Sequence, residues 1–403
     1  MLSSVKINFS NGALGSVSPS ADCVTGMVAT GVAVSGSGKL ALASPYIIHK
    51  LSELEDLGVS SLDTDANASL HKAVKDFYEQ AEDGAELWLM VFPSTAKLSD
   101  LVDKEQDMAK KLILSANGRI RLLHVVFTPS AGYTSTITDG LDADVKVAMK
   151  NAQLLGEWAT NTLYAPIITM IEAREYDNAN IATLADLTKM SYNRVGVLIG
   201  DTIAQSKGAA IGILAGKLAS IPVQRHIGRV KDGALSATEV FIGDKDPYFA
   251  DVETLNNKGY ITFRTFTGKV GYYFTDDCLA TEVADDYRSI ARRRTIDKAY
   301  RIAYRIMLNH INDEIPVKND GTLVPAMCKS WQQEIVSGIY NEMTSQGELG
   351  VDTSDTTDKG VKCFIDYNQN VLATSQLDMA VQVKPYGYSK YINVNLGFIV
   401  TNE

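Results

Sequence analysis

Residues 85–93 read "AELWLMVFP", and positions 87–92 are apolar without interruption. A strand with one wet face alternates apolar and polar residues. An unbroken run marks a strand covered on both faces, as in a parallel sheet between two helix layers. The segment before it fits. In "NASLHKAVKDFYEQA" (67–81), Leu70, Val74, Phe77, Tyr78 and Ala81 recur at helical spacing, which predicts an amphipathic helix feeding the strand.

The same alternation extends to both sides. Upstream, "VTGMVATGVAVSG" (24–36) predicts a strand and a Gly-Ser loop. "ASPYIIHKLSELEDLG" (43–58) predicts a short strand and a helical turn in which Ser52 and Glu55 have capping-box spacing. Downstream, helices are predicted over 99–117, 142–163, 181–190 and 207–221, interleaved with strands over 119–127, 164–173 and 193–200. Strands alternating with helices imply right-handed crossovers and a mainly parallel sheet. Near residue 240 the character changes. "LNNKGYITFRTFTGKVGYYFTDDCLAT" (255–281) holds three short strand-like runs with tight turns, and a basic helix is predicted over residues 285–311. Another helix follows over 326–349, then a polar loop, "TSDTTDKG" (353–360), and two final strands, "DMAVQVKP" (378–385) and "YINVNLGFIV" (391–400), expected to pair as a hairpin. The fold class expected is α/β: a mainly parallel α/β domain over 21–240, an α+β domain over 241–384, and extended β-strand arms at 1–20 and 385–403.

Composition narrows the function. The chain has 403 residues, 45% hydrophobic and 21% charged, with a net charge of −10. That length implies two or three domains. The negative balance opposes nonspecific binding to nucleic acid or anionic membrane, so neither partner is expected. No charged-then-apolar signal pattern opens the chain. The longest weakly polar run, "GAAIGILAGKLASIPV" (208–223), contains Lys217 and falls short of the ~20 residues of a membrane helix. Cys23, Cys278, Cys328 and Cys363 lie far apart with no C-x-x-C and read as free thiols in a reducing compartment, which points to a cytoplasmic site of synthesis.

Motifs that could carry chemistry reduce to structural readings. "SGSGK" (35–39) lacks the glycine a phosphate loop needs at Ala33 and the Ser or Thr it needs at Leu40, so a glycine-rich turn is expected. "VGVLIGDTIAQSKGAAIG" (195–212) has the strand–loop–helix layout of a nucleotide site without G-x-G-x-x-G; Gly208, Gly212 and Gly216, four apart, suit close helix packing. His49, His71, His124, His226 and His310 show no metal spacing. The pairs Asp276–Asp277 and Asp285–Asp286 read as solvated loops or helix starts. No catalytic residue, cofactor site or metal site is expected, and the chain is read as no enzyme.

Two features remain. In "RRRTIDKAYRIAYRIM" (292–307), Arg294, Lys298, Arg301 and Arg305 share about a 60° sector at 100° per residue, opposite Ile296, Ala299, Tyr300, Ala303, Ile306 and Met307. A cationic stripe in an acidic protein suggests an acidic partner, or else a solvated face. The second feature is at the tips. Val5, Ile7 and Phe9 alternate with polar residues near one end, and Ile392, Val394, Leu396, Phe398 and Val400 do so at the other. Burying each such side chain yields about 1.5–3 kcal/mol, whereas ordering each arm residue costs about 1–2 kcal/mol. A solitary arm gains little by ordering. Added to another subunit's sheet, it also gains ladder hydrogen bonds.

Three segments together resemble contractile tail sheath proteins of phages and prophages. They are "TGVAVSGSGKLALASPYIIHKLSELEDLGVSS" with "LHKAVKDFYEQAEDGAELWLMVFP", then "GAAIGILAGKLASIPVQRHIGRV", then "LNNKGYITFRTFTGKVGYYFTDDCLAT" with the basic helix behind it. In the last, Leu255, Asn256, Gly259, Tyr260 and Ile261 match the family's "L-N-x-x-G-I", and Arg292 and Arg293 its "R-R" helix opening. The resemblance implies a homo-oligomeric helical sheath around an inner tail tube protein, meeting baseplate and tail terminator proteins, and residing in the virion after assembly in the host cytoplasm. It implies that residues 241–384 form the C-terminal sheath domain. It also implies that Val5, Ile7, Phe9, Ile392, Val394, Leu396, Phe398 and Val400 link subunits by strand exchange, and that contraction drives the tube through an envelope. With it, Arg294, Lys298, Arg301 and Arg305 are expected to face the tube. The alternatives are a sheath of a bacterial secretion or extracellular injection system, and a nucleotide-using enzyme with its site near Gly200 to Gly208.

Overall fold

The structure, a computed structural model, describes residues 21–61 and 67–397. Its centre is a six-stranded sheet of β1 (Thr25–Gly31), β2 (Tyr46–Ile48), β3 (Leu87–Pro93), β4 (Leu122–Val126), β5 (Ile168–Glu172) and β6 (Val195–Leu198), in spatial order β2-β3-β1-β4-β5-β6. Five strands are parallel, and the short β2 runs antiparallel on the edge. The mixed α/β class with a mainly parallel sheet is the one the sequence led us to expect. Residues 87–92 are all buried, as their unbroken apolar run requires.

Two helix layers cover the sheet. Met27, Leu89, Leu122 and Met170 point to a core shared with α2 (Ala68–Ala81) and α6 (Ile211–Ser220), behind the short α1 (Leu51–Asp56). Val28, Met90, Leu123 and Ile171 point the other way, toward α4 (Ala109–Ser115) and α5 (Ala143–Leu163), with the one-turn α3 (Leu98–Leu101) beside them. Gly212 and Gly216 let α2 and α6 touch backbone to backbone: a Cβ on Gly212 would sit 2.1 Å from the Ala73 carbonyl oxygen, and one on Gly216 2.5 Å from that of Phe77. The close-packing reading of these two glycines describes the contact; Gly208 lies before the helix and faces the Glu172 carboxylate instead.

The chain divides into two compact units, residues 1–305 and 306–403. Residues 241–305, which the sequence assigned to a second domain, belong to the first unit. They supply α7 (Val252–Asn257), the pair β7 (Phe263–Arg264) and β8 (Tyr273–Phe274), and most of α8 (Ile290–Met307). Ile261 bridges to Leu198 at the free edge of β6, with Tyr260, Ile261 and Phe263 fully buried, so this segment extends the first core instead of building its own. The predicted helix at 181–190 shrinks to a 3-10 turn, Leu187–Lys189, capped by Asp186. The capping box at Ser52 is not made; Glu53 accepts from the backbone N–H of His49.

The second unit holds α9 (Pro325–Ile339), a π-helical turn at Tyr340–Thr344, the pair β9 (Val361–Phe364) and β10 (Ala380–Val383), and the short α10 (Val371–Thr374), on a small core of Leu323, Cys328, Trp331 and Ile365. The expected pairing of 378–385 with 391–400 is corrected here: β10 pairs with β9, and residues 391–397 join no strand. The apolar alternation of 361–365 supplies a closer partner than the tail does.

Candidate functional site

In a parallel sheet of this kind ligands bind beyond the strand C-termini, so that edge was the place to seek a nucleotide site. It is filled by the chain's own side chains. Lys72 Nζ donates to Asp76 (2.9 Å) and Asp201 (2.8 Å), and Asp201 also accepts from Ser206 Oγ at 2.5 Å. Glu172 is buried against Arg174 at 3.1 Å, and burial pushes its carboxyl up to about 7 despite that cation. A cavity of about 10 Å³, lined by Tyr176, Gly200, Asp201, Ser206 and Gly208, is left among them. Its size suits one water. In the "SGSGK" turn, Lys39 Nζ donates to the carbonyl of Asp56 at the end of α1, not into an open loop.

The α8 stripe requires a correction. Arg294 is buried and donates to the Ile221 carbonyl (3.1 Å), while Lys298 and Arg301 reach Asp22 at 2.6 and 2.9 Å. Only Arg305 of the four is exposed. The expected tube-facing set is therefore turned largely inward, and the physical reason is the fold. In a parallel sheet the covering helices run opposite to the strands, so their C-termini gather at the strands' N-terminal edge. Those carbonyls make it electronegative. Helix α8 lies along this edge: Arg294 meets the C-cap of α6, and Tyr300 Oη donates to the Thr160 carbonyl in the last turns of α5 (3.2 Å). Burial alone would raise the Asp22 carboxyl, but Lys298 and Arg301 hold it below its ordinary value. Asp297, on the same helix, pairs with Arg293 (2.6 Å) and with Arg194 from the start of β6 (3.2 Å). Sequence reasoning missed Asp22, Arg194 and Asp297. The available signal was Asp297 itself, a carboxylate among cations four residues from Arg293.

The start of α8 gathers the one group with metal-ligand character among the described residues: His226, Asp276 and Asp277. Asp277 is buried and accepts from the Ala291 N–H (3.2 Å) and Ser289 Oγ (2.5 Å), so it caps the helix. His226 Nε2 lies 3.0 Å from Asp276 and 3.1 Å from Asp277. Its Nδ1 accepts from the Gly228 N–H at 3.0 Å, so the proton sits on Nε2, between the carboxylates. A metal on Nε2 would need that nitrogen bare and Nδ1 protonated against an N–H. The group fits a helix cap and does not fit a metal.

The tail behaves differently from the rest. Ile392, Val394 and Leu396 are 76%, 79% and 97% exposed, and Tyr391 beside them is also bare. Val5, Ile7, Phe9, Phe398 and Val400 lie outside the described residues. The tail leaves from β10, whose ladder partner among the described residues is β9 alone. Cys363 and Val381 are half-buried on one face, while Phe364 stays 63% exposed on the other. A two-stranded ribbon with both outer edges open is marginal alone and offers strand-addition sites.

Solved structures share this whole-chain architecture. A chain of the anti-feeding prophage (AFP) baseplate in its contracted state aligns with a TM-score of 0.63 at 13% identity, over 98% of both chains. One from the 6-fold symmetrised AFP baseplate gives 0.59 at 14%, over 99% of both. One from the contracted-state sheath complex of PVC, an extracellular contractile injection system, gives 0.58 at 15%, over 98% of this chain and 97% of that one. No curated protein matches. The fold is thus the one found in the chains of contractile assemblies, as the sequence resemblance implied. The chain belongs to the DUF2586 family, whose N-terminal domain matches residues 2–278 and C-terminal domain residues 286–403.

Proposed function

We propose that this protein is the sheath subunit of a contractile machine, a structural protein and not an enzyme. It polymerises helically around an inner tube through exchanged terminal strands, and the polymer shortens to drive the tube through a target envelope. The observation that carries the reading is the bare apolar tail, Tyr391, Ile392, Val394 and Leu396, in a molecule that also bears an open-edged two-stranded ribbon. Donor strand and acceptor edge are different surfaces, so their contact is heterologous and propagates. The fold shared with AFP and PVC chains supports the class. Those names accommodate a phage-derived tail as well as an extracellular injection system, and the same tail and ribbon would serve either. The engagement of Asp201 by Lys72 and Ser206, beside a cavity with room for about one water at Gly200 and Gly208, speaks against the nucleotide-using alternative. No helix among the described residues is long and apolar enough to cross a membrane.

The test is electron microscopy of the purified chain at high concentration beside one lacking residues 391–403. Tubes or hollow cylinders from the first and none from the second are expected. Discrete particles from both, with nucleotide bound tightly to the monomer, would overturn the reading.

A further inference from the structure

The loop before α7 presents two neighbouring aromatic rings to solvent. Tyr248 is 71% and Phe249 73% exposed, and they meet edge to face at 5.1 Å. The pair is held in place. Asp246 accepts from the Tyr248 N–H (2.8 Å) and from Tyr272 Oη (3.0 Å), and its carbonyl accepts from the Phe249 N–H (2.9 Å). Around the rings, residues 239–253 carry five carboxylates against the single Lys245. Fixed aromatics at low ordering cost are the usual anchors of protein interfaces, and nothing in the core needs these two outside.

A second, opposite surface lies on the solvent face of α5. Val147 and Leu154 are 50% and 36% exposed, and the half-buried Trp158 continues their row four residues on. These positions share one helix face. The row is flanked by Lys146 and Lys150, both exposed, and by Lys110, whose Nζ stands 5.4 Å from the Trp158 ring. The acidic exceptions are Asp139, which pairs with Lys146 at 3.0 Å, and Glu157, which is engaged by Gln153 at 2.9 Å.

We infer that the Tyr248–Phe249 loop of one copy docks on the α5 face of the next, rings against Val147, Leu154 and Trp158, carboxylates toward the lysines. Apolar centres match and the rims have opposite sign, the arrangement that fixes register and partner. The two patches differ, so the contact repeats head to tail and builds an open array. This deepens the sheath reading and rests on it for the presence of many copies, but it uses surfaces remote in sequence from the exchanged tail.

Cysteine cross-linking of the full chain tests it. A chain carrying both Phe249→Cys and Leu154→Cys should give a ladder of dimers, trimers and higher species on oxidation, and neither single variant should. Lys146→Glu with Lys150→Glu should lower the ladder yield about tenfold, and adding Glu239→Lys with Glu253→Lys, both exposed and neither of them the α7 cap, should restore it. No ladder from the double-cysteine chain overturns the inference, as does failure of the reversed charges to restore it, which would mean that the loop meets another surface. Tubes without a ladder sink this contact and leave the sheath reading standing. Neither tubes nor a ladder sink both.

Discussion

Asp22 receives Lys298 at 2.6 Å and Arg301 at 2.9 Å, so one carboxylate from the first described turn anchors the middle of α8. Removing one partner from a largely buried set leaves charges stranded, which costs about 3–5 kcal/mol. Asp22→Asn should lose about 3 kcal/mol in urea unfolding, whereas Arg292→Ala, on the exposed side of the same helix, should stay within about 0.5 kcal/mol. Glu172 sets a pH dependence of the opposite kind. Its carboxyl is raised in the fold to about 7 from 4.5. The folded state therefore holds the proton more tightly, and the stability this lends is complete below pH 4.5 and lost as pH rises through 7. Between pH 4.5 and 7 the unfolding free energy of the wild-type chain should fall with pH relative to that of Glu172→Gln, the difference being Glu172's own contribution. The sequence could not reveal either group's role, because each is defined by partners more than a hundred residues away or by burial itself.

At the scale of elements, the contact of α2 with α6 depends on the absence of a side chain. Gly212→Ala would force a methyl to 2.1 Å from the Ala73 carbonyl oxygen, and overpacking of this kind costs about 3 kcal/mol. Gly132→Ala, with nothing within 4 Å, should be close to neutral by thermal unfolding. The four-residue glycine spacing was readable from the sequence because close helix approach has a local signature. The direction of α8 was not. Its amphipathic character was plain, but the stripe faces inward because the ends of α5 and α6 present carbonyls there, a property of the assembled layers that no window along the chain contains. The final hairpin failed for a related reason. Alternation identifies strand-like segments, and it does not say which of several will pair.

For the whole molecule, the order of helices and strands made the parallel sheet legible from residue 24 to residue 200, since the strands are apolar and the connections leading to β3, β4 and β5 are helical; only the connection to β6 lacks an α-helix among the described residues. The boundary between compact units was less so. The change in texture near residue 240 is real, yet Ile261 in the segment after it bridges to the edge of the first sheet, and the division falls at residue 305. The assembly role was legible in part. A bare apolar segment at the tail is visible in the sequence and remains bare in the fold, while the candidate docking loop at Tyr248 and Phe249 drew no notice, because two aromatics among acids read as ordinary loop until their exposure is known.

The central claim is that residues 391–397 find their partner only in another copy. Amide hydrogen exchange of this segment, compared between dispersed and assembled full-length protein, addresses it most directly. The account predicts fast exchange in the dispersed chain and strong protection in the polymer, with matching protection gained along β9 or β10. Equal, fast exchange of these amides in both states would contradict it.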